Sequence, residues 1–280
     1  MKKFLIAFVM TVLAFSSSAF ANTATCNMLV AHPPGGAADT WARILQKANP
    51  NIRIEFKPGA FSTVAADQLG KNKDHFFIGV PTMYSAQNPN KNISTELLYI
   101  LFTSDAVIVT STNLTLKDLA TKDINIGVWA LNSPQHATAL ELKEINPRLN
   151  IVPLGGDGKA LPLVVNKEVE IYITSALTAA QWTSNFKHIT EIITIPFNKE
   201  IRKDGFRLTG YKTLFGVFIH KDATADQRKH ILNCIETATS NPQYVEDIKK
   251  TSTAVANIKG EEKDKILEKH ISVVYRKFGL

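Results

Sequence analysis

Cysteine is scarce: Cys26 and Cys234 are the only two in 280 residues. That excludes a disulfide-dense scaffold, and no Cys–His spacing suits a zinc module. The pair leaves two readings open, one structural disulfide or two buried free thiols, because spacing alone does not bring two sulfurs within bonding reach. Long apolar runs are missing after Phe15, so no later stretch has the about 20 apolar residues that a membrane-spanning helix needs. Low-complexity linkers and internal repeats are missing too, which excludes solenoids and linker-joined arrays. The chain has no Gly-x-Ser-x-Gly, His-Glu-x-x-His or Gly-x-x-x-x-Gly-Lys-Ser/Thr, so it lacks the local signatures of a nucleophile elbow, a zincin or a P-loop. His220 and His230 are ten residues apart, outside metal-ligand spacing. The chain is read as neither an enzyme nor a holder of a cofactor or metal.

Charge of one sign is also not concentrated. The formal net charge is +7, but the basic residues are scattered and no basic stripe is interleaved with aromatics. Nucleic acid is therefore excluded as a partner, and a solvated basic surface with a mild pull on anions remains.

What is present begins at the N-terminus. Lys2 and Lys3 precede an apolar run from Phe4 to Phe15, then Ser16–Ser18 and Ala19–Phe20–Ala21. Basic, apolar, small-x-small is the order of a secretory signal, with cleavage expected after Ala21. Thr23–Ala24–Thr25 before Cys26 is a poor lipoprotein signal, so the mature protein is expected free in an exported compartment, the periplasm.

After that leader, short apolar strands alternate with amphipathic helices. Strands are expected at 28–32, 52–56, 76–80 and in two runs over 99–110. Helices are expected at 39–48 and 63–70, then "SPQHATALELKEI", "GKALPLVVNKE" and "ALTAAQWTS". Further strands are "INIGVW", "LNIVPL", "VEIYIT" and "TLFGVFIH", and two long helices, about 225–240 and 259–278, close the chain. Such alternation argues βαβ units and a mostly parallel sheet, with ligands bound outside the carboxyl ends of the strands. The extended stretches near 106–112 and 214–220 have the composition of strands crossing between two lobes.

Four loops run from a strand into a helix: Pro33–Asp39, Lys57–Ser62, Asn132–His136 and Gly155–Gly158. Helix N-termini carry unpaired N–H groups and the positive end of the dipole, so they attract anions. The loops contain no Arg, and Lys57 is the one Lys inside them. A carboxylate held there relies on amides and hydroxyls. Four charge-assisted bonds contribute about 6–12 kcal/mol before the cost of immobilisation, against about 8 for micromolar binding. Turn chemistry alone also explains the glycines, and Asp39 and Ser133 also read as helix caps.

"PPGGAADTWAR", "KPGAFSTVAADQL", "VIVTSTNLTLKDL", "SPQHATALEL", "VPLGGDGKALPLVVNKEVEI" and "FGVFIHKDATADQ" occur in that order. The ordered set resembles the Bug-type solute-binding proteins of tripartite tricarboxylate transporters over nearly the whole mature chain. The resemblance implies an α/β, two-lobed periplasmic-binding-protein fold of type II, each lobe a mixed, mostly parallel sheet flanked by helices. It implies residues 1–21 as signal peptide, 22–110 with 222–280 as one lobe, and 111–221 as the other. The implied ligand is a small organic anion, a di- or tricarboxylate, acidic amino acid or aromatic acid, passed by a monomer to membrane permease subunits. A soluble partner of a sensor kinase is the alternative, with an exported enzyme a distant third. Matching positions place Gly35, Gly36, Ala37, Asp39, Gly59, Ala60, Phe61 and Ser62 at one ligand carboxylate. Ser133, His136, Gly155, Gly156 and Asp157 come from the opposite lobe, and Thr82, Thr174 and Ser175 stand at other strand ends. The chain departs from the family at Phe61 and Ser62, where glycine is usual, at Pro134, and at Asp74–His75–Phe76.

Overall fold

The computed structural model describes residues 25–59, 62–81, 94–196, 199–210, 213–251, 253–276 and 278. The expected signal peptide, residues 1–21, and the site candidates Ala60, Phe61 and Thr82 lie outside the described residues. In chain order the first half contains β1 (Cys26–Val30), α1 (Ala37–Ala48), β2 (Ile52–Phe56), α2 (Thr63–Lys71), β3 (Phe76–Gly79), β4 (Thr95–Ser104), β5 (Ala106–Thr110), α3 (Leu116–Leu119), β6 (Asn125–Val128) and α4 (Pro134–Ile145). There follow β7 (Asn150–Pro153), α5 (Asp157–Val165), β8 (Ile171–Ser175), α6 (Ala176–Asn185), β9 (Thr190–Ile195), β10 (Glu200–Lys203), β11 (Phe206–Thr209), β12 (Thr213–His220), α7 (Ala225–Thr239), α8 (Pro242–Lys249), β13 (Ala254–Ile258) and α9 (Gly260–Arg276).

Two mixed sheets organise these elements. The first has the order β13-β4-β12-β3-β1-β2, the second β7-β6-β8-β5-β9, and β10 and β11 form a separate hairpin. The mostly parallel expectation holds only for β2-β1-β3 and β7-β6-β8; β12, β4 and β13 join the first sheet antiparallel, and β5 and β9 the second. The parallel part is the product of local βαβ crossovers, whereas the antiparallel strands arrive from distant parts of the chain.

Period-two alternation sorts the strand side chains into two apolar layers per sheet. Met28, Val30, Phe76 and Ile78 pack on one face of the first sheet, and Leu29 and Phe77 on the other. In the second sheet Ile108, Ile126 and Ile171 face one layer, and Val107, Val109 and Tyr172 the other. Helix α1 closes the first layer with Trp41, Ala42, Leu45 and Ala48, all buried at helical spacing. Gly216 in β12 is required by space: a Cβ there would stand 2.9 Å from the Tyr99 carbonyl oxygen, next to a register shift against β4.

The chain passes between the sheets at Asp105, the one residue between β4 and β5. There the Ala176 N–H reaches both the Asp105 carbonyl (3.1 Å) and Ser104 Oγ (3.0 Å). It returns between Thr209 and Thr213. Sheet membership sets these limits: Ala106–Thr110 pairs with β8 and β9, and Thr213–His220 with β3 and β4. Both segments thus fall on the other side of the divisions expected at 110 and 221. Of the two stretches expected to cross, 106–112 begins just past a crossing point, and 214–220 runs wholly inside the first sheet. An apolar strand shows that it is buried, but not in which sheet.

The two cysteines are joined, with an S–S distance of 2.01 Å and a sequence separation of 208. The disulfide ties the start of β1 to α7. His230 lies close to it, 3.7 Å from Cys234 Sγ, but the paired sulfurs leave no thiolate for a metal. Among the described residues no helix is long and apolar enough to cross a membrane.

Candidate functional site

The loops after β1 and β7 meet across a cavity of about 350 Å³. Helix α1 starts at Gly36 with no side-chain cap, and α5 starts at Gly156 with none either. In the first loop the Gly35 N–H donates to Asp39 Oδ2 at 2.9 Å, and Asp39 also pairs with Arg43 at 2.7 Å. The N–H groups of Gly36, Ala37 and Ala38 have no hydrogen-bond partner among the described residues. In the facing loop Gly155 donates to the Trp129 carbonyl at 2.9 Å, while the N–H groups of Gly156, Asp157 and Gly158 are likewise without partners. Gly155 and Gly156 have φ of 75° and 137°, which glycine adopts at no steric cost. The two helix ends are close: a Cβ on Gly36 would be 3.7 Å from Asp157 Oδ2.

Rings make the side walls. His32 lies 5.1 Å from Trp129 and 5.6 Å from Phe215, centroid to centroid, and Trp41 lies 4.8 Å from Phe215. His32 and Phe215 belong to the first sheet's side and Trp129 follows β6, so the His32–Trp129 contact spans the cleft. Gln135–Thr213 and Gln181–Thr40, each 3.4 Å, also span it. Two ring nitrogens in this wall, His32 Nδ1 and Trp41 Nε1, are buried with no hydrogen-bond partner among the described residues.

Burial pushes the His32 imidazole down to about 4, so it is neutral at pH 7. In the unfolded chain it takes a proton below about 6.5. Stability is therefore expected to fall as pH drops from about 6.5 to 4, by at most about 3 kcal/mol from this group. Urea midpoints at pH 7 and 4.5 check this, and His32→Gln should remove that part of the acid sensitivity.

Asp157 is held by hydroxyls rather than by a cation. Its Oδ1 accepts from Tyr172 Oη (3.0 Å) and Thr174 Oγ1 (3.1 Å), and its Oδ2 from Thr178 Oγ1 (2.9 Å). Burial, then the Asp157 charge, pushes the Tyr172 phenol well up, keeping it a donor. Ser175 caps α6 by accepting from Thr178 N–H at 3.3 Å and also lines the cavity. Lys159 is the cation of the cavity wall among the described residues, and it makes no ion pair there.

Of the expected site residues, Gly36, Ala37, Gly155, Gly156, Asp157, Thr174 and Ser175 line the cavity. Gly35 and Asp39 stand behind it, bonded to one another. Gly59 and Ser62 are outside the described lining; Ser62 Oγ is buried without a partner among the described residues, at a φ of 70°. Ser133 caps α4, accepting from His136 N–H at 3.1 Å and donating to the Ala130 carbonyl at 2.7 Å. His136 accepts from Asn132 N–H at 3.0 Å and stacks on Phe278, so this third loop offers Pro134 and Gln135 to the cavity instead. His32 and Trp41 flank the first loop and Lys159 is one residue past the fourth, but Trp129 and Phe215 come from separate segments, so no spacing along the chain marks the five as one wall. Lys57 turns to Glu55 at 2.7 Å and does not line the cavity. Lys57→Ala should therefore change ligand affinity by well under about 2 kcal/mol, the scale of a charge-assisted bond, in calorimetry.

Two mixed α/β halves with one cavity between them define the two-lobed architecture of periplasmic binding proteins. Solved structures carry the comparison further. The chain is similar to MatC from Rhodopseudomonas palustris with bound malate, with 16% identity, 90% of this chain and 98% of that one covered, and a TM-score of 0.72. It is similar to the periplasmic binding protein BugD at 14% identity, 91% and 96% coverage and a TM-score of 0.76. It is similar to R. palustris Rpa4515 with adipate at 14% identity, 92% and 98% coverage and a TM-score of 0.79. No family model matches the chain, and no curated protein sequence matches it. At these identities the shared property is the fold, and the neighbours are binding proteins rather than enzymes.

Proposed function

We propose that the chain is an exported solute-binding protein that captures a small carboxylate between its lobes and delivers it to a tripartite tricarboxylate transporter. The observation that carries this is the pair of uncapped helix N-termini, α1 and α5, facing one cavity from two different sheets with their first N–H groups unpartnered. Such ends favour an anion, and a cavity of about 350 Å³ is at the small end of ligand pockets. Malate bound to MatC and adipate bound to Rpa4515, both on this fold, support the ligand class.

The lobes of this reading follow the two sheets, with the crossings at Asp105 and near Gly210 as the moving joints. A ligand touching both helix ends binds the closed state better and shifts the population toward it. Delivery then depends on permease subunits recognising that closed form, with the protein working as a monomer in the periplasm and without catalysis. The test is a thermal-shift and calorimetric screen of residues 22–280 against di- and tricarboxylates, acidic amino acids and aromatic acids. A carboxylate bound at micromolar concentration supports the reading; no binding at millimolar concentration by any of them ends it.

A further inference from the structure

We infer that the ligand is a small aromatic monocarboxylate, selected by the ring wall of His32, Trp129, Phe215 and Trp41 and by the Asp157 carboxylate opposite α1. This rests on the carboxylate-binding reading and narrows it.

Charge comes first. The charged side chains of the described wall are Asp157 and Lys159, which offset one another. Two helix N-termini add about half a positive charge each. The cavity therefore balances roughly one negative charge. A second ligand carboxylate meets either the Asp157 carboxylate, which has no cationic partner among the described residues and is held by three hydroxyls, or rings that offer it no charge. His32 adds none, being neutral at pH 7.

The rest of the wall is suited to a ring. His32, Trp129 and Phe215 touch in series, with centroids 5.1 and 5.6 Å apart, and Trp41 continues the series at 4.8 Å. An aromatic ligand extends that series by stacking or edge contacts; a flexible aliphatic diacid does not, and loses more rotamer freedom on binding. Trp41 is 2% exposed, yet its Nε1–H has no acceptor among the described residues. That nitrogen is itself buried, so Trp41 offers the cavity its apolar ring and not a donor. Trp41 follows Ala37 by one helical turn, so the two side chains share the face of α1 that lines the cavity.

Calorimetry on residues 22–280 with benzoate, 4-hydroxybenzoate, malate, adipate, citrate and glutamate tests the inference. At least one aromatic acid should bind at least about tenfold tighter than any aliphatic acid. Trp129→Leu should erase that preference by weakening the aromatic acids alone, and Asp157→Asn should narrow it by improving malate and adipate. Malate, adipate, citrate or glutamate binding as tightly as the aromatic acids overturns the inference and leaves carboxylate capture standing. No binding by any acid overturns both. If Trp129→Leu fails to fold, the wild-type panel alone decides.

Discussion

Gly36→Asp is expected to abolish carboxylate binding while leaving the fold intact. Gly36 has a φ of −103°, which any residue adopts, and its Cβ position is in ordinary contact with its surroundings. The backbone therefore tolerates the change. The new carboxylate would sit at the N-terminus of α1, where the unpartnered amides are, and so take the place of the ligand's. It would also face Asp157, whose Oδ2 is 3.7 Å from that Cβ position. A ligand carboxylate about 4 Å from the new one would be repelled by about 4 kcal/mol at an intermediate effective dielectric, which corresponds to roughly a thousandfold loss of affinity. Calorimetry and a thermal melt on the same sample check both halves. Gly36→Asn has the same volume without the charge and should lose much less. Unchanged affinity in Gly36→Asp would remove the α1 terminus from the site.

The second large effect is on stability. Replacing Cys26 and Cys234 by serine opens a loop closed over a separation of 208 residues. By the chain-entropy account that costs about 5 kcal/mol. For a chain of this size the thermal midpoint should fall by about 10–20 °C. Affinity for the ligand at 25 °C should stay within about twofold, since the disulfide joins β1 to α7 away from the cavity. Melts with and without a reductant give the same comparison on the unaltered protein. A shift of only a degree or two would contradict the argument.

The alternation of strands and helices was readable because buried strands and amphipathic helices have different apolar periods. So were the four glycine loops, and two of them, Pro33–Asp39 and Gly155–Gly158, do meet at the cavity. The strand at 190–195 was missed; its exposed start carries Thr190 and Glu191. The hairpin of β10 and β11 was also missed, although Asp204–Gly205, at φ of 52° and 85°, is a dipeptide that favours such a turn. Short α8 and β13 fell between two long helices and were not foreseen. The third loop illustrates the limit of local reading. Ser133 and His136 have the right spacing for a site, but the same spacing builds a helix cap, and the cap takes both. His32, Trp129 and Phe215 form a wall only because the ends of β1 and β6 and the start of β12 come together, a relation that no window along the chain contains.

Cys26 and Cys234 lie on the same side of the cleft, and every residue of the second sheet lies between them in sequence. The bond thus leaves the opening of the jaws unrestrained, while making the whole second lobe an excursion from a covalent ring. A protease that nicks the chain once anywhere in that excursion releases nothing: both pieces should migrate together on a non-reducing gel and separate only after reduction. A single cut in the second lobe then leaves a molecule that still holds its two halves side by side.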